Sequence, residues 1–279
     1  MTAEHDVLLY ARGGGFGHSM RGATLQRLLV EQGHRVRLLI APESAEHLSA
    51  DHAQTDVVSG SLGDALDRDF DTLIVDSFPR GWSDEIDEAV LDRFTHRVLV
   101  SRYNRDPRFL DDSARFDVLL NPYPAHLDEW SVPLPRARHT GWLVRPAPMR
   151  IVPEGDALVV FDPGARAPST LLMRLASYAK THGLRLRHLR RAERDVDAAK
   201  FLCIGAGYNT VYELAHTAAD LRFVPLARRY DDQARRVARL DRSAGTLADV
   251  MSWIATPTRA RPISDAPVAT TEVDPWASP

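Results

Sequence analysis

Residues 10–22 read YARGGGFGHSMRG, and the reading of this stretch decides the fold. Ahead of it, DVLLYA (residues 6–11) is a short apolar run of the kind that forms a buried strand. Behind it, SMRGATLQRLLVEQG (residues 19–33) spaces Leu25, Leu28 and Leu29 along one helical face and stops at Gly33. Strand, glycine turn and helix together are the opening unit of a doubly wound parallel sheet, which binds ligands at the carboxyl ends of its strands. The helix that follows offers free N–H groups and roughly half a positive charge to a bound anion. The glycines do not have dinucleotide spacing. Counted from Gly13, the third glycine of G-x-G-x-x-G falls on His18, and RVRLLIAP (residues 35–42) supplies no carboxylate for a ribose. A nicotinamide cofactor is therefore not expected. His18 instead places a group of ordinary pKa about 6.5 in the turn, suited to general-base work near neutral pH.

Working outward, strand-like runs continue to alternate with helical ones. RVRLLIA, TDVVSG, DTLIVDSF, HRVLVSRY, FDVLLNPYP and the region of HTGWLVRP read as strands; PESAEHLSAD and SDEIDEAVLDRF read as helices. Apolar strands separated by helices indicate a parallel sheet covered on both faces. RPAPMRIVPEGD (residues 145–156) holds three prolines and a glycine and reads as a linker. The alternation then restarts with ALVVFDPGA, a helix from STLLMRLASYAKTHG with Ser169 as N-cap, LRLRHLR, KFLCIGAG, YNTVYELAHTAAD, LRFVPLA, DDQARRVARLDRSAG and TLADVMSWIAT. The expected organisation is α/β: an N-terminal Rossmann-like domain over residues 1–147, a small C-terminal one over 148–256 and a proline-rich tail over 257–279.

Two stretches of the second half carry polar groups at strand ends. In GAGYNTVYEL, Gly205 and Gly207 close a strand, and backbone N–H groups with Asn209 and Thr210 can hold a diphosphate. Glu213, one turn on, can accept hydrogen bonds from ribose hydroxyls. A capped helix with no ligand accounts for the same residues equally well. In VPLARRYDDQARR, Asp231, Asp232 and Gln233 either cap a helix or hydrogen-bond sugar hydroxyls.

Taken in order, GGGFGHSMRG, GAGYNTVYEL and DDQARR resemble the two-domain glycosyltransferases of GT-B fold, which have a cleft between two Rossmann-like domains. The likeness is to the peptidoglycan N-acetylglucosaminyltransferase family and to the related UDP-sugar hydrolase of pseudaminic acid synthesis, and it spans roughly residues 6–240. The resemblance implies transfer of a sugar from a nucleoside-diphosphate sugar, UDP-linked first, with inversion and without a metal. It implies His18 as general base, with Gly14, Gly15, Gly17 and Arg21 forming a loop for acceptor and phosphate. It places the diphosphate at Gly205 and Gly207 with Asn209 and Thr210, the ribose at Glu213 and the donor sugar at Asp232 and Gln233. The nucleotide sugar is substrate and no cofactor is implied; the acceptor is a small molecule or a lipid-linked one. Hydrolysis, with His18 activating water, stays open beside transfer. A non-catalytic binding paralogue also stays open, because VVFDPGARAPS sets Asp162 and Pro163 where relatives carry a glycine–serine loop.

Composition bounds these readings. The 279 residues carry a net charge of −3, which gives no general attraction to nucleic acid or membrane. Cys203 is the one cysteine, excluding an intramolecular disulfide and a cysteine-rich metal site. The histidines form no H-x-x-x-H or H-E-x-x-H pattern, so a metal is not expected. No apolar run is long enough to span a membrane and no signal peptide is evident, so a cytoplasmic location is expected. VDSFPRG lacks the G-x-S-x-G of a serine nucleophile; Asp76 within it ends a strand where it can line the cleft, with a structural role the first reading. Trp82, Trp130 and Trp142 can stack on an acceptor sugar, with buried packing the default.

Overall fold

The computed structural model describes residues 4–48, 56–101, 107–122, 137–141, 143, 149–153, 155–163, 167–214, 217, 219–228, 231–238, 240, 244, 247–258, 273, 275 and 276. The expectations for Trp130 and Trp142 lie outside them. The chain divides into two compact units, Met1–Arg145 with Val268–Pro279, and Pro146–Pro267.

The first unit is built on strands β1 (Asp6–Tyr10), β2 (Arg35–Ile40), β3 (Val57–Ser59), β4 (Thr72–Asp76), β5 (His96–Val100), β6 (Val118–Asn121) and β7 (Ala137–His139). Among the described residues these form one sheet in the order β3-β2-β1-β4-β5-β6-β7. Every pairing in it is parallel. Its helices are α1 (Phe16–Glu31), α2 (Leu62–Ala65), α3 (Glu88–Leu91) and α4 (Phe109–Ser113). Alternate side chains of β1 enter different cores: Val7 and Leu9 pack with Leu25, Leu28 and Leu29 of α1, whereas Leu8 and Tyr10 pack with Leu73, Val75 and Phe116. That is the period-two geometry of a strand buried on both faces. Helix α1 lies so close to the sheet that a Cβ at Gly22 would sit 2.5 Å from Ala11 and 2.9 Å from Leu38.

The second unit contains β8 (Arg150–Val152), β9 (Ala157–Phe161), β10 (Arg185–Leu189), β11 (Asp195–Asp197), β12 (Lys200–Ile204) and β13 (Asp220–Val224), with α5 (Ser169–Thr181), α6 (Tyr208–Leu214), α7 (Gln233–Ala238) and α8 (Leu247–Ala255). Its main sheet runs β10-β9-β12-β13, all parallel, and β11 pairs with β8 beside it. Leu158, Val160, Leu202 and Ile204 meet Leu175 of α5 and Val250, Trp253 and Ile254 of α8.

Four local expectations are corrected. The run read as linker contains strand β8, because Arg150–Val152 finds a partner in Asp195–Asp197. The twelve-residue helix expected from SDEIDEAVLDRF is a single turn, α3, capped by the Asp87 side chain on Val90 N–H at 2.9 Å. Upstream, Asp84 has φ 59° and Glu85 takes the Ser83 N–H at 2.6 Å, so side-chain bonds hold a non-helical backbone. Ser169 is the first residue of α5 rather than its cap, which is Pro168. The segment read as an unstructured tail is packed at its end. Val273 is buried in the α1-side core, and the Trp276 indole stacks on His5 with centroids 4.3 Å apart.

Candidate active site

The order β2-β1-β4 makes the edge between β1 and β4 the point where the sheet's winding reverses. The loop after β1 and the end of β4 therefore meet there, at the carboxyl ends of the strands. His18 comes from the first and Asp76 from the second. Helix α1 begins at Phe16, with Gly15 in extended backbone as N-cap, so His18 sits in the first helical turn rather than in the loop. Its Nδ1 lies 2.6 Å from Asp76 Oδ2. Arg21, one turn along α1, donates Nε to Asp76 Oδ1 and Nη2 to Oδ2, both at 2.7 Å, and Nη2 also to Ser77 Oγ at 3.1 Å.

Asp76 is 1% exposed. Burial pushes its carboxyl up, but the charges of Arg21 and His18 outweigh burial and hold it well below the usual carboxylate range. An ionised carboxylate only accepts, so His18 Nδ1 bears the proton and, in the neutral imidazole, Nε2 bears the lone pair. Gly13 presses on the other side of the ring: a Cβ there would lie 2.3 Å from His18 Cδ2. The Phe78 ring leans on His18 with centroids 5.1 Å apart. Phe78 reaches it through a sharp turn at Ser77, where φ is 71° and Phe78 N–H bonds Asp76 O at 3.0 Å. A positive φ at serine is sparsely populated and costs on the order of 1–3 kcal/mol. The surrounding bonds, among them Ser77 N–H to Val100 O, keep it in place.

Arg21 was expected to face a phosphate. It is 2% exposed and turned onto Asp76, because a buried carboxylate needs a buried countercharge. The glycines divide by role. Gly13 and Gly14 lie under rings, and a Cβ on Gly14 would meet Trp82 at 2.6 Å; Gly15 and Gly17 face open space.

In the second unit the corresponding edge lies between β9 and β12. Gly205 follows β12 with φ 91°, and α6 starts at Tyr208, with Gly207 O accepting Val211 N–H. Asn209 and Glu213 are buried on α6, Thr210 is on its first turn, and the space in front of Gly207 is open. Gln233 and Asp232 gather at the same edge in supporting roles. Gln233 Oε1 accepts N–H bonds from Ala206 at 2.7 Å and Leu226 at 2.9 Å. Asp232 caps α7 through Arg235 N–H at 3.0 Å. Arg236 pairs with Asp231 and donates to Ala206 O at 2.6 Å, so the glycine turn is bolted to α7. Asp162 is fully buried at the end of β9 and accepts Ala167 N–H, just ahead of α5, at 2.8 Å. Asp76 was read as placed to line the cleft but first as structural, and its pairing with His18 was not foreseen; the Arg236 contact to Ala206 O was not foreseen either.

No protein-family model and no curated protein matches the sequence. Solved structures do match it in fold. The spinosyn rhamnosyltransferase SpnG complexed with thymidine diphosphate aligns with a TM-score of 0.54 at 14% identity, covering 90% of each chain. MurG of Acinetobacter baumannii aligns at 0.54 and 13%, covering 88% of each. UGT89C1 of Arabidopsis thaliana complexed with quercetin aligns at 0.59 and 16%, covering 90% of this chain and 88% of that one. The chain thus has the GT-B fold, with two Rossmann-like units.

Proposed function

We propose that the protein is an inverting glycosyltransferase that moves a sugar from a nucleoside-diphosphate sugar, UDP-linked first, to an acceptor hydroxyl. The observation that carries this reading is His18, held by Asp76 and backed by Gly13, at the reversal point of the first sheet. His18 Nε2 takes the hydroxyl proton as the acceptor oxygen bonds to the anomeric carbon from the face opposite the diphosphate. The carbon–oxygen bond to the diphosphate breaks, and the diphosphate leaves with the electron pair. Asp76 fixes the imidazole orientation and stabilises the imidazolium that forms; general-base catalysis of this kind contributes roughly 10²–10⁴ in rate.

The Gly205–Gly207 turn with Asn209 and Thr210 receives the diphosphate, and Glu213 the ribose. Gln233 has its carbonyl oxygen committed to backbone, so it addresses the donor sugar through its amide nitrogen, beside Asp232. No metal is required when backbone N–H groups and side-chain dipoles meet the leaving charge. Glycosyltransferases of this fold holding thymidine diphosphate and quercetin support both halves of the reading.

The test is incubation with UDP- and TDP-sugars, with and without acceptor. Nucleotide release that requires acceptor is expected. Release without acceptor would replace the reading with nucleotide-sugar hydrolysis, and absence of any nucleotide binding by calorimetry would remove both. His18→Ala should keep nucleotide affinity and lower turnover by about tenfold or more; unchanged turnover would take His18 out of the mechanism.

A further inference from the structure

We propose that Arg21 is a positioning residue for the base: it offsets enough of the Asp76 charge to keep the His18 imidazole neutral, with its lone pair on Nε2, near pH 7. The word base rests on the glycosyltransferase reading; the charge balance rests on geometry alone. His18 and Arg21 are three residues apart on α1 and so stand on one face of the helix, turned to the end of β4. His18 Nδ1 and Arg21 Nη2 bond the same atom, Asp76 Oδ2, at 2.6 and 2.7 Å. The two nitrogens are thus less than two hydrogen-bond lengths apart. Arg21 Nε adds a bond to Oδ1 at 2.7 Å, and Nη2 another to Ser77 Oγ at 3.1 Å. The guanidinium is therefore held by both oxygens of the carboxylate and by the turn that follows it.

Three influences act on the imidazole, and they differ in sign. The Asp76 carboxylate favours the imidazolium. Burial disfavours it, and His18 is 8% exposed. The guanidinium, charged at every working pH, disfavours it too. A buried carboxylate 2.6 Å away without a countercharge would hold the imidazole protonated at neutral pH, and a protonated Nε2 takes no proton from a hydroxyl. With Arg21 on both oxygens, Asp76 still orients the ring while much of its charge is offset. Gly13 from the loop after β1, and Ser77 and Phe78 from the end of β4, meet the same group of side chains and are uncharged. Further along the loop after β4, Glu85 is bonded by Tyr10 and Arg12, and Asp84 is exposed.

The test is an NMR titration of the full chain labelled with ¹³C,¹⁵N-histidine, the His18 signal being assigned by its loss in His18→Gln. Wild-type His18 is expected to titrate below about 7, close to the ordinary 6.5, despite its bonded carboxylate. In Arg21→Gln, which keeps a donor and removes the charge, the midpoint should rise by about one unit or more. In Arg21→Lys, which keeps the charge, it should stay within about half a unit of wild type. The acid limb of kcat/KM should move with it, so that the glutamine variant loses about tenfold at pH 5.5 and recovers above about pH 8.5. An arginine that only supports the fold would lower the rate equally at both. The wild-type midpoint decides the matter even if Arg21→Gln fails to fold. The proposal is overturned if wild-type His18 titrates above about 7, if its midpoint is unchanged in Arg21→Gln, or if lysine shifts it as far as glutamine does. The expected midpoints in a protein that turns over no nucleotide sugar would sustain the charge balance and count against the glycosyltransferase reading alone.

Discussion

At the scale of the residue, the site turns on one carboxylate shared between an imidazole and a guanidinium. Asp76 receives the His18 imidazole on Oδ2 and the Arg21 guanidinium on both oxygens, with every member nine-tenths buried. Arg21 neutralises the charge and His18 uses it, so the two contacts have different consequences when Asp76 changes. Asp76→Asn keeps the shape but removes the charge, allowing the amide to donate to Nδ1 and move the imidazole proton to Nε2. Turnover should then fall by about a hundredfold or more, with nucleotide affinity retained. An asparagine variant that stays folded and turns over within about threefold of wild type would dissociate Asp76 from the base. The same substitution has a stability signature in acid. The Asp76 carboxyl sits below its unfolded value because Arg21 and His18 outweigh the effect of burial. Its contribution is therefore fully present above the ordinary carboxylate range, near about 3.9, and is lost as pH falls through the lower folded value. Denaturant midpoints measured downward from pH 6 should fall less steeply in Asp76→Asn, from a starting stability lower by about 3 kcal/mol because Arg21 is left buried without its countercharge. Parallel acid profiles would contradict the assignment.

At the scale of the element, the glycine loop and the first turn of α1 act as one piece. The ring of His18 lies against Gly13 and leans on Phe78. Gly13→Ala should push the imidazole aside, since its Cβ would lie 2.3 Å from Cδ2. A displacement near 1 Å at a reacting group costs on the order of a hundredfold in rate, while the fold should survive. Gly15→Ala is the matched control: its φ of 172° suits any residue and its Cβ meets nothing within 4 Å. Equal rates for the two variants would refute the clamp. The loop's glycines, the strand before it and the helix after it were all readable from YARGGGFGHSMRG. The partner of His18 was not, because Asp76 is 58 positions away and only the adjacency of β4 to β1 brings it near. Strand order is a property of the sheet, and alternation alone gives the elements without their neighbours. The tie between Arg21 and Asp76 was hidden for the same cause, since 55 positions separate the two residues. Gln233 and Asp232 were located correctly at the strand end, yet what they do there depends on Ala206 and Leu226, which only the folded turn supplies.

At the scale of the whole molecule, the chain returns at its end to the unit with which it began. The proline-rich composition of residues 257–279 carries no periodicity, so sequence gave no sign of packing there. Single anchors do not need periodicity. Trp276 stacks on His5 with an interplanar angle of 3°, contacts His34 at 4.3 Å and donates its indole N–H to Thr72 Oγ1 at 3.3 Å. These residues stand at or just before the starts of β1, β2 and β4, the edge of the sheet opposite the one that holds His18. One aromatic side chain thus ties three central strands together at the end remote from the site. Trp276→Ala should destabilise the first unit by about 2 kcal/mol, less than for a fully buried tryptophan because the ring is partly exposed. The loss should be local. Hydrogen exchange at Val7–Tyr10 and at Leu73–Val75 should quicken, while the amides of β12 in the second unit keep their protection. Turnover measured below the new melting point should stay near that of the wild type, since His18 and Asp76 lie at the far ends of the strands. Equal loosening of β12 would mean that the last residues stabilise the chain globally, and unchanged exchange in β1 would mean that they do not anchor it at all.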